Sequence, residues 1–139
     1  MFKHILMPVD GTLTMLPGVR RCLRMALEMA ARVEAIHVVA PAGSNAAVDA
    51  RSGAGTAHTR AAQIMQLVER EAREQGVACT TAIIEGAMPW QEIVAAARAG
   101  GADLICMSSH GRSAPSGAAL GSQTAQVLLH APVAVLVLR

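Results

Sequence analysis

Tyrosine is absent from this chain, and one Trp and one Phe are its only other large aromatic side chains. A chain that is 53% hydrophobic on those terms must build its core from Ala, Val, Leu, Ile and Met. The same lack removes the stacking platforms that hold single-stranded nucleic acid. Lysine is nearly missing too: Lys3 stands alone, so the basic residues are almost all arginines, and these are scattered rather than run together. With a net charge of only +2, no nucleic-acid partner is expected, and most arginines read as solvated helix faces.

Cysteine is scarce and odd in number. Cys22, Cys79 and Cys106 include no close pair, which argues against a disulfide framework or a zinc ribbon and fits a reducing compartment. No apolar run approaches the ~20 residues that cross a bilayer, so no membrane partner is expected. The opening MFKHILMPVD lacks the charged start, long apolar centre and cleavage site of a secretory leader. The expected location is therefore the cytoplasm. Also missing are the Gly-x-x-x-x-Gly-Lys-Ser/Thr loop and a glycine triplet after the first strand, which excludes a P-loop NTPase and a dinucleotide site of the usual kind.

What remains is an alternating pattern of the length of one domain, residues 1–139. Residues 3–9, KHILMPV, read as a strand buried on both faces, ending in the turn signal Asp10-Gly11-Thr12. Val19, Cys22, Leu23, Ala26, Leu27 and Ala30 then mark one helix face. Residues 35–39 form a second strand, and 41–58, rich in Gly, Ala and Ser, read as a connection that is either a ligand lid or simply loose. A second helix spans about 60–75, with Glu69/Arg73 and Arg70/Glu74 as outward pairs and Gly76 as its cap. Residues 77–84 are a third strand, and Pro89 opens a third helix that ends at Gly100-Gly101. Residues 103–107 and 133–138 are the last two strands, flanking a fourth helix that starts near Ser122 and is stopped by Pro132.

Strands joined by helices lie parallel with right-handed crossovers. The expected fold is thus α/β, an open five-stranded parallel sheet with helices on both faces. With the first strand central, the order 3-2-1-4-5 opens a ligand crevice between strands one and four. Two stretches face that crevice: Asp10, and the loop MSSHGRSAPSGAALGS from Met107 to Ser122. That loop is a strand end, a run of small residues and a helix start, where unpaired N–H groups favour phosphate or another anion.

Other candidates carry plainer readings. Asp10 can be a turn former, His110 and Arg112 solvated loop residues, and Trp90 a packing or subunit-contact residue. Cys106 and His110 together supply only two ligands, too few for a metal site. The methionines read as aliphatic filling.

The residues carry a further resemblance. Ser108, Gly111 and Gly121-Ser122 occupy the positions of a Gly-x2-Gly-x9-Gly-Ser/Thr pattern, with Ser108 in place of its first glycine. SHGRS, LGS, KHILMPVDGT, HVV at 37–39, PWQEIVAAARAGGADLICM and HAPVAVLVLR are likewise similar to the universal stress protein family, of the single-domain, ATP-binding type. The resemblance covers nearly the whole chain outside 41–58 and implies a Rossmann-like, adenine nucleotide alpha hydrolase-like fold.

The resemblance also implies a site. Asp10 would accept from the adenine, Pro8 would line the same wall, and Val38 would meet the base through its backbone. Met107, Ser108 and Ser109 would border the ribose, and Gly111 and Arg112 the phosphates. Gly121, Ser122 and Gln123 would offer N–H groups or a hydroxyl to the terminal phosphates. The implied cofactor is ATP, or ADP or AMP, with Mg²⁺ or Mn²⁺. Serine at position 108 would be penalised only where the backbone needs positive φ or an unusually close approach.

Three functions follow in order: a cytoplasmic stress-response protein that binds nucleotide, a nucleotide-free interaction module, and a slow metal-dependent hydrolase using His110 and Asp10. No nucleophile, base and orienter converge, so catalysis is not expected. The apolar last strand would sit at a sheet edge, and a homodimer through residues 133–138 would cover it.

Overall fold

A computed structural model describes residues 1–43, 54–109 and 120–139. The strands are β1 (His4–Pro8), β2 (Arg32–Val39), β3 (Cys79–Glu85), β4 (Leu104–Ser108) and β5 (Ala134–Leu138). The helices are α1 (Leu16–Glu28), α2 (Ala54–Gln75), α3 (Pro89–Gly100) and α4 (Ser122–His130), with a 3-10 turn at Leu13–Met15 before α1. The sheet is parallel throughout, as expected of strands alternating with helices, and its order is β3-β2-β1-β4-β5 with the first strand central.

Period two divides each central strand between two cores. Ile5 and Met7 of β1, with Leu104 and Cys106 of β4, face α1 and α2, where Val19, Cys22, Leu23 and Val68 close over them. Leu6 and Ile105 face the other way, onto Ile93 and Ala97 of α3 and Val127 of α4. Leu6, Leu23 and Ile105 are wholly buried, which stabilises the fold by about 1.5–3 kcal/mol for each side chain.

Several boundaries differ from the sequence reading. β2 begins at Arg32, three residues early, because its charged residues find partners: Arg32 Nη2 lies 3.0 Å from His4 Nδ1, and Glu34 Oε2 lies 3.2 Å from His4 Nε2. α1 starts at Leu16 with Pro17 in its first turn, ahead of the apolar stripe. α2 starts at Ala54, so 54–58 are helical rather than part of a connection, while 44–53 lie outside the described residues. Leu27 and Leu128 are on outer faces, 50% and 43% exposed.

Arg20 is not a merely solvated arginine. Its Nε and Nη2 reach the two carboxylate oxygens of buried Glu71 at 2.9 and 2.7 Å, tying α1 to α2. That hydrogen-bonded guanidinium holds the Glu71 carboxyl below the usual carboxylate range, against the opposing effect of burial. Glu69 accepts from Thr81 Oγ1 instead of pairing with Arg73, whereas Arg70 and Glu74 do meet, at 4.0 Å. Among the described residues no helix is long and apolar enough to cross a membrane.

Candidate functional site

The site is built where two central strands part. β1 pairs with β2 as far as Pro8 with Ile36, and β4 pairs with β5 as far as Ser108 with Leu138. Between β1 and β4 themselves, only Ile5 with Leu104 and Leu6 with Ile105 are in register. Pro8, which has no N–H, cannot prolong a ladder. The connection after β1 runs to α1 on one face and that after β4 to α4 on the other, so the strand ends diverge. A groove opens there, lined by Met7, Pro8, Val9, Gly18, Val19, Cys22, Cys106, Met107, Ser108 and Leu138 among others. Three of the sequence-predicted residues, Pro8 from β1 and Met107 and Ser108 from β4, therefore line one groove.

Asp10 leaves β1 in a tight turn. Its Oδ1 accepts from the N–H of Thr12 at 2.9 Å and from Thr12 Oγ1 at 2.8 Å. Its Oδ2 has no protein donor among the described residues. Gly11 takes φ +83°, and a Cβ there would stand 2.9 Å from His37 Cε1, so the turn requires glycine both for conformation and for space. His37 in turn supports the strand end, its Nδ1–H donating to Val9 O at 2.8 Å. The sequence reading gave His37 no role; only its polarity inside an apolar strand marked it.

Val38 is oriented by the alternation of peptide groups along β2. The Ile36 carbonyl accepts from Val9 N–H, on the β1 side, and the Val39 carbonyl accepts from Gly86 N–H, on the β3 side. The peptide groups of Val38 therefore turn toward β1, at a level where β1 has ended and its chain has swung away through Asp10. A donor and an acceptor are presented there by main chain alone.

On the other side of the groove, α4 is fixed to the end of β4. Gly121, its N-cap residue, gives its N–H to Ser109 O at 2.7 Å, and Thr124 Oγ1 donates to Ser108 O at 3.1 Å. Ser109 N–H donates to Leu138 O at 2.8 Å. The first bond within the helix is Ala125 N–H to Gly121 O at 3.0 Å, and no side chain caps the start, so the N–H groups of Ser122 and Gln123 stand ahead of the ladder. The Gln123 side chain is committed elsewhere: its Oε1 accepts from Trp90 N–H at 2.9 Å. Trp90 itself stacks on His130, with ring centroids 4.4 Å apart, so within the chain it is a packing residue between α3 and α4.

Ser108 ends β4 in ordinary extended backbone. Among the described residues the one non-glycine with positive φ is Ala30, so serine at 108 carries no left-handed strain. Gly111 and Arg112, together with His110, lie outside the described residues. Thr124 had no place among the site residues expected from sequence, yet its hydroxyl is what joins α4 to β4.

Comparison with known proteins adds a second line. The family model described as the Universal stress protein family matches residues 1–139. The chain is similar to Universal stress protein MJ0531 of Methanocaldococcus jannaschii, 30% identical over the whole of this chain and 83% of the relative. Among solved structures it resembles hypothetical protein MJ0577, at 26% identity and a TM-score of 0.84, covering 99% of this chain and 96% of that one. A universal stress protein in complex with cAMP shares the fold at 21% identity and a TM-score of 0.76, covering 99% and 97% of the two chains.

Proposed function

The chain belongs to the universal stress protein family, and on that premise we propose that it binds ATP, or ADP or AMP, in the groove between β1 and β4. The observation that carries this reading is the parting of those strands between two sets of polar groups of different character. On the β1 side, the Val38 peptide groups and the open Asp10 Oδ2 suit the donor and acceptor edge of an adenine. On the β4 side, the N–H groups of Ser122 and Gln123 and the Ser122 hydroxyl suit phosphate oxygens. Pro8, Met107, Ser108 and Ser109 take the stretch between, beside the ribose; Gly111 and Arg112 complete the phosphate end. The complex of a fold relative with cAMP agrees with the ligand class.

A Mg²⁺ or Mn²⁺ ion enters with the nucleotide. Among the described residues no cluster of His, Cys, Asp and Glu could hold a metal, and the groove offers a hard cation little beyond Asp10 Oδ2 and the Ser122 hydroxyl. The phosphates would have to supply most of its ligands. In this reading the protein is a cytoplasmic regulatory or protective dimer in the response to stress, its two copies joined along β5. Any hydrolysis would be slow and incidental to that role.

Calorimetry with ATP, ADP and AMP, with and without Mg²⁺, tests the site. Ser122→Pro is the informative variant, because proline suits the first helical position and Gly121 before it is already extended, at φ −68° and ψ 154°, while the N–H is deleted. Affinity for ATP is expected to fall about tenfold, the loss of roughly one charge-assisted hydrogen bond, with Ser122→Ala falling less. Absence of heat with every nucleotide would overturn the proposal.

A further inference from the structure

His37 fills a rung of the sheet that main chain would ordinarily fill. The peptide groups of Arg32 and Ile36 point from β2 toward β1: Arg32 N–H donates to Lys3 O at 3.0 Å, and Ile36 O accepts from Val9 N–H at 2.9 Å. Val38 points the same way by alternation. In a parallel ladder, a residue whose N–H goes to one position of its neighbour has its C=O accept from the N–H two positions further on. The rung after Val9 N–H to Ile36 O is therefore Val38 N–H to Val9 O. That rung is missing, because the register ends at Pro8 with Ile36. Val9 O is taken instead by His37 Nδ1, at 2.8 Å. A carbonyl only accepts, so Nδ1 carries the proton and, in the neutral ring, Nε2 the lone pair.

The imidazole is also held from the side of the turn. It lies on the face of the sheet that Val33 and Ala35 turn to α1 and α2. A Cβ on Gly11 would stand 2.9 Å from His37 Cε1, 3.2 Å from His37 Nε2 and 3.1 Å from Ile64 Cδ1. The turn that carries Asp10 thus rests on the ring, with Ile64 of α2 beside it. One side chain caps the last carbonyl of β1 and seats the turn that follows.

The consequence falls on Val38, half-buried at the end of β2. With Val9 O taken, its N–H has no main-chain acceptor among the described residues. A free N–H beside a free C=O matches the edge of adenine, where N1 accepts and the N6 amino group donates. Hypoxanthine reverses both, with N1–H and a carbonyl at C6, and would set donor against donor. We propose that His37 is a positioning residue for the base: by giving Val9 O its donor, it keeps the Val38 N–H open as half of an edge that reads adenine against bases protonated at N1. The selectivity rests on the nucleotide reading above; the missing rung does not.

Amide hydrogen exchange followed by NMR in the nucleotide-free protein tests the rung. The Val38 N–H is expected to exchange much faster than that of Ile36, which lies within the paired register. In His37→Leu the vacant Val9 carbonyl is expected to take the Val38 N–H, so that its exchange slows. His37→Asn, whose amide sets a donor near the place of Nδ1, is expected to keep it fast. Calorimetry with ATP and ITP tests the selectivity. The wild type is expected to prefer ATP by about tenfold or more, a matched edge against an opposed one. His37→Leu should bind ATP about tenfold more weakly, one hydrogen bond lost, and lose most of that preference, while His37→Asn retains both. A merely structural role would lower thermal stability without slowing exchange at Val38. A Val38 N–H already protected in the nucleotide-free wild type would overturn the proposal, whether or not His37→Leu folds. An open Val38 N–H in a protein that binds neither nucleotide would overturn the nucleotide reading and the selectivity with it, and leave His37 as the residue that holds the rung open.

Discussion

Thr124 Oγ1 donates a hydrogen bond to Ser108 O at 3.1 Å, fastening the first turn of α4 to the last residue of β4. Thr124 is 2% exposed, whereas Ser108 is half-buried at the groove. Thr124→Val keeps the shape and removes the donor. It is expected to destabilise the fold by about 0.5–1.5 kcal/mol, the net contribution of one hydrogen bond, read as a lower urea midpoint. ATP affinity should fall as well, because the Ser122 and Gln123 N–H groups lose their anchor. An unchanged midpoint would show that Ser108 O finds another donor.

Asp10 has two roles that one substitution separates. Oδ1 holds the turn through Thr12, and Oδ2 faces no protein donor among the described residues. Asp10→Asn preserves an oxygen for Thr12 and puts an amide NH₂ where Oδ2 stood. If Oδ2 accepts from the nucleotide, affinity is expected to fall roughly tenfold or more, one hydrogen bond lost and a donor opposed to a donor, while thermal stability holds. Equal affinity in the two proteins would leave Asp10 as a turn former alone.

The contrast between these residues shows what the sequence made legible. Parallel pairing followed from strands that alternate with helices, the order from taking the first strand as central, and the two-faced strands β1 and β4 were readable from runs such as HILMP and LICM. The start of β2 was hidden because Arg32 and Glu34 break the apolar pattern, and their partner His4 is far away in the chain. The bond between Arg20 and Glu71 joins residues 51 apart, beyond any periodicity. Whether Ser108 is strained depended on a backbone angle, which residue type alone does not give; extended β4 answers it. The part given to Val38 rested on resemblance, because the direction of its peptide groups is set by strand pairing and not by residue type.

Acid should weaken the fold through two carboxylates. Arg20 holds Glu71 below its ordinary value. Burial works to raise Asp103, but N–H donors from Lys3 and His4 more than offset it, and its value is lowered too. Each group is more acidic folded than unfolded, so the unfolded chain binds more protons as pH falls. Their stabilisation is complete above the unfolded values of about 4 and is lost as pH drops through the lower folded values. Urea midpoints measured from neutral pH to pH 3 are expected to fall steeply in the wild type. In Glu71→Gln they should start lower and fall less. A parallel fall in both proteins would remove Glu71 from the account.

The remaining test concerns the sheet edge. β5 pairs with β4 on one side only, and its outer main-chain groups would template another strand if left open. Leu136 and Leu138 pack into one core and Val133 and Val135 into the other, whereas Val137 packs into neither. Val137→Lys therefore places a charge on the edge with little effect on the interior. If two copies join along β5, sedimentation velocity at micromolar concentration is expected to show a dimer for the wild type and a monomer for the variant, with the same circular dichroism and melting of the monomer fold. A wild-type monomer at that concentration would remove the dimer from the proposed function. A dimer that survives Val137→Lys would move its interface off β5, and the exposed Leu129 on α4, 75% accessible, would then be the next residue to change.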